Sequence, residues 1–244
     1  MTQPTNTLLA INVQNVERVY NIGSGQQVHA LRGINLEVEN GRFVALKGRS
    51  GSGKTTLLNC LGGLDQPSSG TIELFGLRLD AMNDRDLTQW RRKEVGFIFQ
   101  SFGLLPTLSA YENVELMLRI ARAPRRQRRE RAMACLELVG IGKWADHRPY
   151  EMSGGQQQRV AIARALANSP RLILADEATG ELDSETAQEV LALFQRIVRE
   201  EQLTFLLASH DSLVDEYVDE VLHLKDGQIV ERASMPAPPA DSQP

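Results

Sequence analysis

The sequence has little of several features that point to particular classes of protein. It has only two cysteines, Cys60 and Cys135, with no CxxC spacing, which favours a reducing compartment and argues against a metal site. Its longest apolar runs, such as Leu203–Ala208, are as long as a strand and far short of the roughly 20 residues that span a bilayer. The polar first residues lack the pattern of a secretory signal. We therefore expect any membrane-embedded part to be another chain.

Charge of one sign is not in marked excess either. The formal net charge is −4, so no overall basic field attracts the chain to nucleic acid or anionic lipid. One basic run, from Arg122 to Arg131, holds six arginines and no aromatic residue. It fits either a contact with nucleic acid or lipid headgroups or a solvated helix that starts after Pro124. The acidic balance favours the solvated helix and predicts no nucleic-acid partner.

The pattern of short apolar runs predicts an α/β fold. Runs broken by glycine predict strands at Leu9–Val13, Gly33–Val38 and Phe43–Leu46, with a hairpin turn at Asn40-Gly41. Continuous apolar runs at Leu172–Ala175 and Leu203–Ala208 predict buried parallel strands. One face of the helix expected between these two runs carries Val190, Phe194, Ile197 and Val198. We therefore expect a parallel sheet covered on both faces, with an antiparallel β subdomain at the N-terminus.

Composition also predicts the domain organisation. Residues 83–151 are rich in charge and in helix formers, so we expect a mainly helical lobe there, with the inserted subdomain at about 101–160. A single domain is expected over 8–232. Residues 1–7 and the Pro/Ala-rich tail, 233–244, are expected to be disordered.

A glycine-rich loop after the run Phe43–Leu46 predicts a phosphate site. It reads Gly48-Arg49-Ser50-Gly51-Ser52-Gly53-Lys54-Thr55-Thr56 and matches the P-loop pattern, with a helix expected from Thr55 to Leu61. Its glycines let backbone N–H groups curl around an anion, and the helix N-terminus adds partial positive charge. Lys54 is expected at the β- and γ-phosphates and the Thr55 hydroxyl on Mg²⁺.

Polar residues follow three other strand-like runs. Asp176 and Glu177 follow Leu172–Ala175; we expect Asp176 to hold Mg²⁺ and Glu177, pointing to the opposite side by strand alternation, to accept a proton from water. His210 follows Leu206–Ser209, where a γ-phosphate contact is expected. Gln100 follows Val95–Phe99 and is a candidate link between the nucleotide and the helical lobe.

A second glycine-rich helix start occurs at Ser153-Gly154-Gly155-Gln156. It precedes an Ala-rich helix that ends before Ser169-Pro170. One chain needs a single cradle for the γ-phosphate. A second one is explained if it serves the ATP of another copy of the chain.

In this order and spacing, these elements resemble the nucleotide-binding subunits of ABC transporters over about Leu8 to Arg232. The resemblance implies that Glu177 is the catalytic glutamate, His210 the switch histidine and Gln100 a catalytic residue and Mg²⁺ ligand. It also implies that Tyr20 stacks on adenine and that Asp183 and Ser153–Gln156 act at the nucleotide between two copies. The cofactors it implies are ATP and Mg²⁺.

Two further segments, Leu57–Asp65 and Leu104–Val114, resemble the bacterial macrolide-exporter and lipoprotein-release branch. Ala178 and Glu181 depart from that branch, which has proline and asparagine at these places. The branch implies a homodimer that drives a separate transmembrane permease from the cytoplasmic face of the inner membrane, in export or extrusion. A cell-division type of ATPase that signals through a membrane partner is the alternative, and a soluble ABC ATPase acting on DNA or ribosomes is a more distant one.

Overall fold

The computed structural model describes residues 9–23 and 25–235, which form two sheets and six helices. The strands are β1 (Leu9–Ile22), β2 (Gln26–Glu39), β3 (Phe43–Lys47), β4 (Ser69–Leu74), β5 (Leu77–Arg78), β6 (Val95–Phe99), β7 (Leu172–Asp176), β8 (Thr204–Ser209), β9 (Glu220–Lys225) and β10 (Gln228–Ser234). The helices are α1 (Lys54–Leu61), α2 (Asp84–Glu94), α3 (Ala110–Ile120), α4 (Arg125–Leu138), α5 (Gly154–Leu166) and α6 (Ser184–Glu201).

The larger sheet confirms the predicted parallel core. Its strand order is β10-β9-β3-β8-β7-β6, and all neighbours are parallel except β10, which pairs with β9 in the antiparallel sense. Side chains of β7 alternate between two cores: Leu172 and Leu174 pack on one face, and Ile173 and Ala175 on the other. Both faces are therefore covered, which explains why the strand is apolar throughout.

The smaller sheet is antiparallel, with the order β2-β1-β4-β5. Its buried residues, such as Ile11 and Val13 on β1, share one hydrophobic core with α1 and α2. The predicted hairpin at Asn40-Gly41 is wrong, because β2 and β3 belong to different sheets. The turn itself exists, with Gly41 at φ +77°, but it carries the chain from one sheet to the other. The long hairpin is formed by β1 and β2, which pair from Leu9 to Ile22.

The helical lobe begins later than residue 83. Helix α2 buries Leu87 and Trp90 in the core beneath the antiparallel sheet, and β6 is the edge strand of the parallel sheet. Residues 83–99 are therefore part of the α/β core. The lobe consists of α3, α4 and the start of α5, and its predicted end at residue 160 falls inside α5, which continues to Leu166.

The predicted helix face on α6 is confirmed, because Val190, Phe194, Ile197 and Val198 are all buried. At the C-terminus, β10 continues to Ser234, two residues beyond the domain end predicted at 232. The predictions for residues 1–7 and for the tail from 236 onward lie outside the described residues. Within residues 9–23 and 25–235, no helix combines the length and the apolar character that crossing a membrane requires.

Candidate active site

The glycine-rich loop runs from the end of β3 to the start of α1, as predicted. Gly53, at φ +106°, is the residue before the helix, a conformation that favours glycine. At Gly48, a side chain would collide with the Leu224 carbonyl and the Ser52 side chain, so the backbone passes very close to β9 there. The close approach of the backbone therefore requires glycine at this position of the loop.

Lys54, the first residue of α1, lies along this loop. Its side chain is only 6% exposed, and its Nζ donates to the carbonyl oxygens of Gly48, at 2.8 Å, and Arg49, at 3.3 Å. The first turn of α1 contains no acidic residue and no side-chain cap. The helix N-terminus therefore keeps its partial positive charge and its N–H groups for an anion.

Asp176 ends strand β7 directly opposite α1. Its Oδ2 accepts a hydrogen bond of 2.7 Å from the Thr55 hydroxyl. Burial raises the pKa of the Asp176 carboxyl, with a further rise from neighbouring Glu177, while the Thr55 hydrogen bond and Lys54 oppose the rise. A buried carboxylate of this kind is stabilised by a cation.

Glu177 does not follow the strand alternation that we predicted. It lies just beyond β7 in the left-handed region, at φ +50°, and its N–H donates to the Ala208 carbonyl at 2.9 Å. Its carboxylate therefore turns back toward the loop: Oε1 is 3.7 Å from Lys54 Nζ, and Oε2 is 3.0 Å from His210 Nδ1. Asp176 and Glu177 thus face one cleft, and they differ in how deeply their carboxylates lie within it.

The cleft has a volume of about 560 Å³ and gathers predicted residues from four segments of the chain. It is lined by Arg49, Ser50, Thr55, Gln100, Asp176, Glu177 and His210. The His210 side chain is 68% exposed at its mouth. Gln100 approaches the Glu177 turn near Gly180. A Cβ added to Gly180 would lie 3.5 Å from Gln100 Nε2 and 3.3 Å from the Glu177 carbonyl oxygen.

The residues at the base of the cleft fit a hard divalent cation. Mg²⁺ prefers oxygen ligands in octahedral geometry and usually keeps several waters. Thr55 Oγ1 and Asp176 Oδ2 are already adjacent, and Asp176 Oδ1 is buried with no hydrogen-bond partner among residues 9–23 and 25–235. Ser52 Oγ is likewise buried without a partner in this part of the chain. These free oxygens suit a site that holds Mg²⁺ and a phosphate.

The Ser153–Gln156 sequence forms the N-terminus of α5, outside the residues that line the cleft. Ser153 Oγ accepts from Gln156 N–H at 3.3 Å, and Gln156 Oε1 accepts from Ser153 N–H at 2.9 Å. Gly154 and Gly155 pack beside Leu182 and Thr186, respectively.

Asp183 lies next to this helix start and caps α6. Its carboxylate accepts from the Thr186 N–H at 3.0 Å and from the Thr186 hydroxyl at 2.7 Å, and these bonds lower its pKa. The structure therefore brings Asp183 and Ser153–Gln156 together in a second group, apart from the cleft.

Tyr20 is fixed by two residues that the sequence did not single out for this role. Its hydroxyl donates to Asp65 Oδ2 at 2.5 Å, and the Arg18 guanidinium lies 4.4 Å from its ring centroid. Arg18 also binds both oxygens of Asp65, at 2.9 and 2.7 Å. Tyr20 and Arg18 are two residues apart on one strand and so face the same side. This spacing was the only local signal that the two side chains contact each other.

Two buried polar residues in the lobe were also missed. Asn113 is 1% exposed and binds the backbone of Leu105, Leu108 and Ser109. Gln158 is 0% exposed and binds the turn after Glu177. A polar residue inside an otherwise apolar helix face is the signal that identifies such positions.

Comparisons with known proteins find relatives over most of the chain. The family model for ABC transporter matches residues 31–180. The uncharacterized ABC transporter ATP-binding protein MJ0796 of Methanocaldococcus jannaschii is 42% identical over 90% of this chain and 94% of its own length. The macrolide export ATP-binding/permease protein MacB of Wolinella succinogenes is 47% identical over 91% of this chain, which covers 34% of that longer protein.

The solved structures that are similar include a nucleotide-bound dimer. The dimeric post-hydrolysis state of the ATP-binding cassette MJ0796 bound to ADP and Pi superposes with a TM-score of 0.85 and 39% identity, over 93% of this chain and 99% of that one.

Proposed function

Because this chain belongs to the ABC transporter ATP-binding family, which hydrolyses ATP, we propose that it is the ATPase subunit that drives a separate membrane permease. Two copies would close around two ATP molecules, and the work would be export or extrusion from the cytoplasmic face of the membrane. The MacB relative joins an ATP-binding part and a permease in one protein, which supports a permease partner for a chain that matches its ATP-binding part.

One observation carries the proposal: the chain contains two glycine-rich helix starts that are separated in space. The start of α1 belongs to the cleft with Asp176 and Glu177, whereas the start of α5 lies outside the lining of that cleft. Since a γ-phosphate in this cleft is already served by α1, the α5 site fits the ATP of a second copy. The dimeric cassettes among the similar structures support this arrangement.

The residues of the cleft, together with Lys54 and Tyr20, would divide the chemistry among them. Lys54 and the loop N–H groups bind the β- and γ-phosphate oxygens, and the Tyr20 ring stacks on the adenine. Thr55, Gln100 and Asp176 would hold Mg²⁺, and the hydrogen bond from the Thr55 hydroxyl to Asp176 orients both oxygens. When bound, Mg²⁺ neutralises charge on the phosphates.

Glu177 is the general base of this mechanism. It accepts a proton from the attacking water as the bond from the γ-phosphorus to the bridging oxygen breaks and ADP leaves. His210, 3.0 Å from Glu177, holds that carboxylate in place and contacts the γ-phosphate. Ser153 to Gln156 of the other copy complete the charge stabilisation, so turnover requires the closed dimer.

The decisive variant is Glu177→Gln, which keeps the side-chain shape and removes the base. We expect ATP binding to be retained, turnover to fall by about 100-fold or more, and a stable dimer to form with ATP. Dimer formation is measured by size-exclusion chromatography with ATP and Mg²⁺, and turnover by phosphate release. Wild-type turnover in Glu177→Gln would refute the role of Glu177.

The matched control is Glu200→Gln, an exposed glutamate on α6 that lies 4.0 Å from Arg196. It should behave as wild type in both assays. The permease is tested by purifying the tagged chain from membranes with its partner chains. Recovery of no membrane protein, together with full ATPase activity in the purified chain alone, would contradict the transport assignment while leaving the ATPase intact.

A further inference from the structure

A single buried side chain connects the two groups of site residues within one copy. Gln158, on α5, is 0% exposed, and its Nε2 donates to the carbonyl of Ala178 at 2.6 Å. Ala178 is the residue that follows Glu177 and is itself 2% exposed. The bond therefore joins the helix that begins at Ser153–Gln156 to the turn that carries the base.

We propose that Gln158 is a positioning residue that holds the Glu177 turn in its working geometry and makes that geometry depend on the position of α5. The inference rests on the proposed dimer, in which the N-terminus of α5 contacts the ATP of the other copy. In that dimer, the ATP of the other copy would contact α5. Through Gln158, α5 would then position the Glu177 that acts on the ATP bound in the cleft of its own copy.

The Glu177 turn needs support of this kind. A non-glycine residue at φ +50° is strained and keeps its conformation only when its surroundings impose it. On one side, Glu177 N–H donates to the Ala208 carbonyl at 2.9 Å; on the other, the Glu177 carbonyl accepts from Gly180 N–H at 3.0 Å. The bond from Gln158 to the Ala178 carbonyl is a further restraint on the backbone, and it comes from α5.

Burial argues that the amide is present for this bond. A buried polar side chain costs free energy unless it is hydrogen-bonded, and an apolar residue of equal volume would fill the position without that cost. Gln158 Oε1 is also buried and has no partner among residues 9–23 and 25–235, so in this part of the chain the amide oxygen is unsatisfied. An apolar side chain would fill the same space without an unsatisfied oxygen, so packing alone does not explain a glutamine at this position.

The same helix also contacts a second loop that carries a cleft residue. Arg164, six residues further along α5, donates to the carbonyls of Phe102 and Gly103, just after Gln100. A rigid helix therefore contacts two of the segments that carry cleft residues, and a shift of its N-terminus is transmitted to both of them. Of the two contacts, only the one from Gln158 reaches the residue next to the base.

The test is Gln158→Met, which removes the donor and keeps the volume. Gln195→Met is the matched control, because Gln195 on α6 also donates its amide to a backbone carbonyl, that of Tyr217, at 2.8 Å. We expect kcat of Gln158→Met to fall about ten-fold or more with KM for ATP changed by less than about three-fold, while Gln195→Met keeps wild-type kcat. Equal kcat in the two variants, or a loss confined to KM, would overturn the proposal.

A second variant separates positioning from folding. In Gln158→Glu, burial raises the pKa of the new carboxyl, and its protonated form donates a hydrogen bond to the Ala178 carbonyl as the amide does. The ratio of kcat in Gln158→Glu to kcat in Gln158→Met should therefore rise by about three-fold or more from pH 8 to about pH 6. A ratio that stays flat with pH would count against positioning by hydrogen bonding.

The trapped dimer distinguishes this inference from the proposed function. Gln158→Met combined with Glu177→Gln should still form the ATP-dependent dimer, because α1 and the start of α5 are unchanged. If Glu177→Gln alone forms no dimer, the proposed dimer fails; if it does and Gln158→Met hydrolyses ATP like Gln195→Met, only the role of Gln158 fails.

Discussion

Replacing Asn113 with alanine should destabilise the helical lobe and leave the nucleotide cleft intact. Asn113, on α3, is 1% exposed, and its amide ties down the loop that precedes this helix. Oδ1 accepts from Leu105 N–H at 2.8 Å, and Nδ2 lies 3.1 Å from the carbonyls of Leu105 and Leu108 and 2.9 Å from that of Ser109.

The magnitude follows from the number of bonds that the amide can form. Nδ2 has two hydrogens for three carbonyls, so three good bonds are the maximum, one accepted and two donated. At about 1 kcal/mol net for each bond, Asn113→Ala should lower the free energy of unfolding by about 2–3 kcal/mol. The lower part of this range applies if the loop, where Leu105 is 45% exposed, opens enough for water to replace the side chain.

The assay is urea denaturation followed by circular dichroism, with the midpoint compared at an unchanged slope. Asn168→Ala is the graded control, because Asn168 donates to Arg92 at 2.9 Å and only weakly to Met117, at 3.4 Å. It should lose about 1 kcal/mol. Hydrogen exchange gives a local check, since the Leu105 amide should lose protection in Asn113→Ala. A loss for Asn113→Ala no larger than that for Asn168→Ala, with Leu105 still protected, would refute the reasoning.

Three further outcomes follow from the structure. Ser153→Ala removes the cap of α5 and should lower stability by about 1 kcal/mol, keep ATP binding in isothermal titration and lose turnover in phosphate release. Asp176→Asn should stabilise the Mg²⁺-free protein at neutral pH: burial raises the pKa of Asp176 in the folded state, so its charged form opposes folding, and the gain should shrink as falling pH protonates the wild-type carboxyl. In denaturation at several pH values, a gain that grows on acidification would contradict this sign. Burial raises the pKa of Cys60 to about 12 and raises that of Cys135, so neither thiol should react with a thiol reagent until the protein is unfolded.

Local patterns predicted the parallel core and the main cleft because each signal there is contained in a short segment. The P-loop pattern fixes a strand, a tight loop and a helix start in sequence, and the structure confirms β3 and α1 around it. Parallel strands place their carboxyl ends at one edge, so Asp176, Glu177 and His210 had to meet near this loop. Their convergence in one cleft needed no long-range information beyond the strand assignment.

The sequence-based predictions were wrong where contacts between distant segments decide the structure. Asn40-Gly41 has the chemistry of a hairpin turn, but which sheet the next strand joins is decided by burial of Phe43–Lys47 between β8 and β9. The prediction from strand alternation was wrong at Glu177 because β7 ends at Asp176. Glu177 adopts a left-handed conformation there, and its N–H donates to the Ala208 carbonyl on β8. The contact of Arg18 and Tyr20 with Asp65 joins residues far apart in the chain, and no spacing rule reports it.

The two helix starts differ in a way that bears on how the chain uses them. The start of α1 has no side-chain cap and no acid, so its N–H groups are left for a ligand that this chain binds within its own cleft. The start of α5 is closed by the reciprocal bonds of Ser153 and Gln156, so it is satisfied when no ligand is near. An uncapped helix end suits a permanent part of a binding site, and a self-capped one suits a surface that spends time in water before a second copy arrives. The capping pattern therefore supports nucleotide binding by the single chain and hydrolysis by the closed pair.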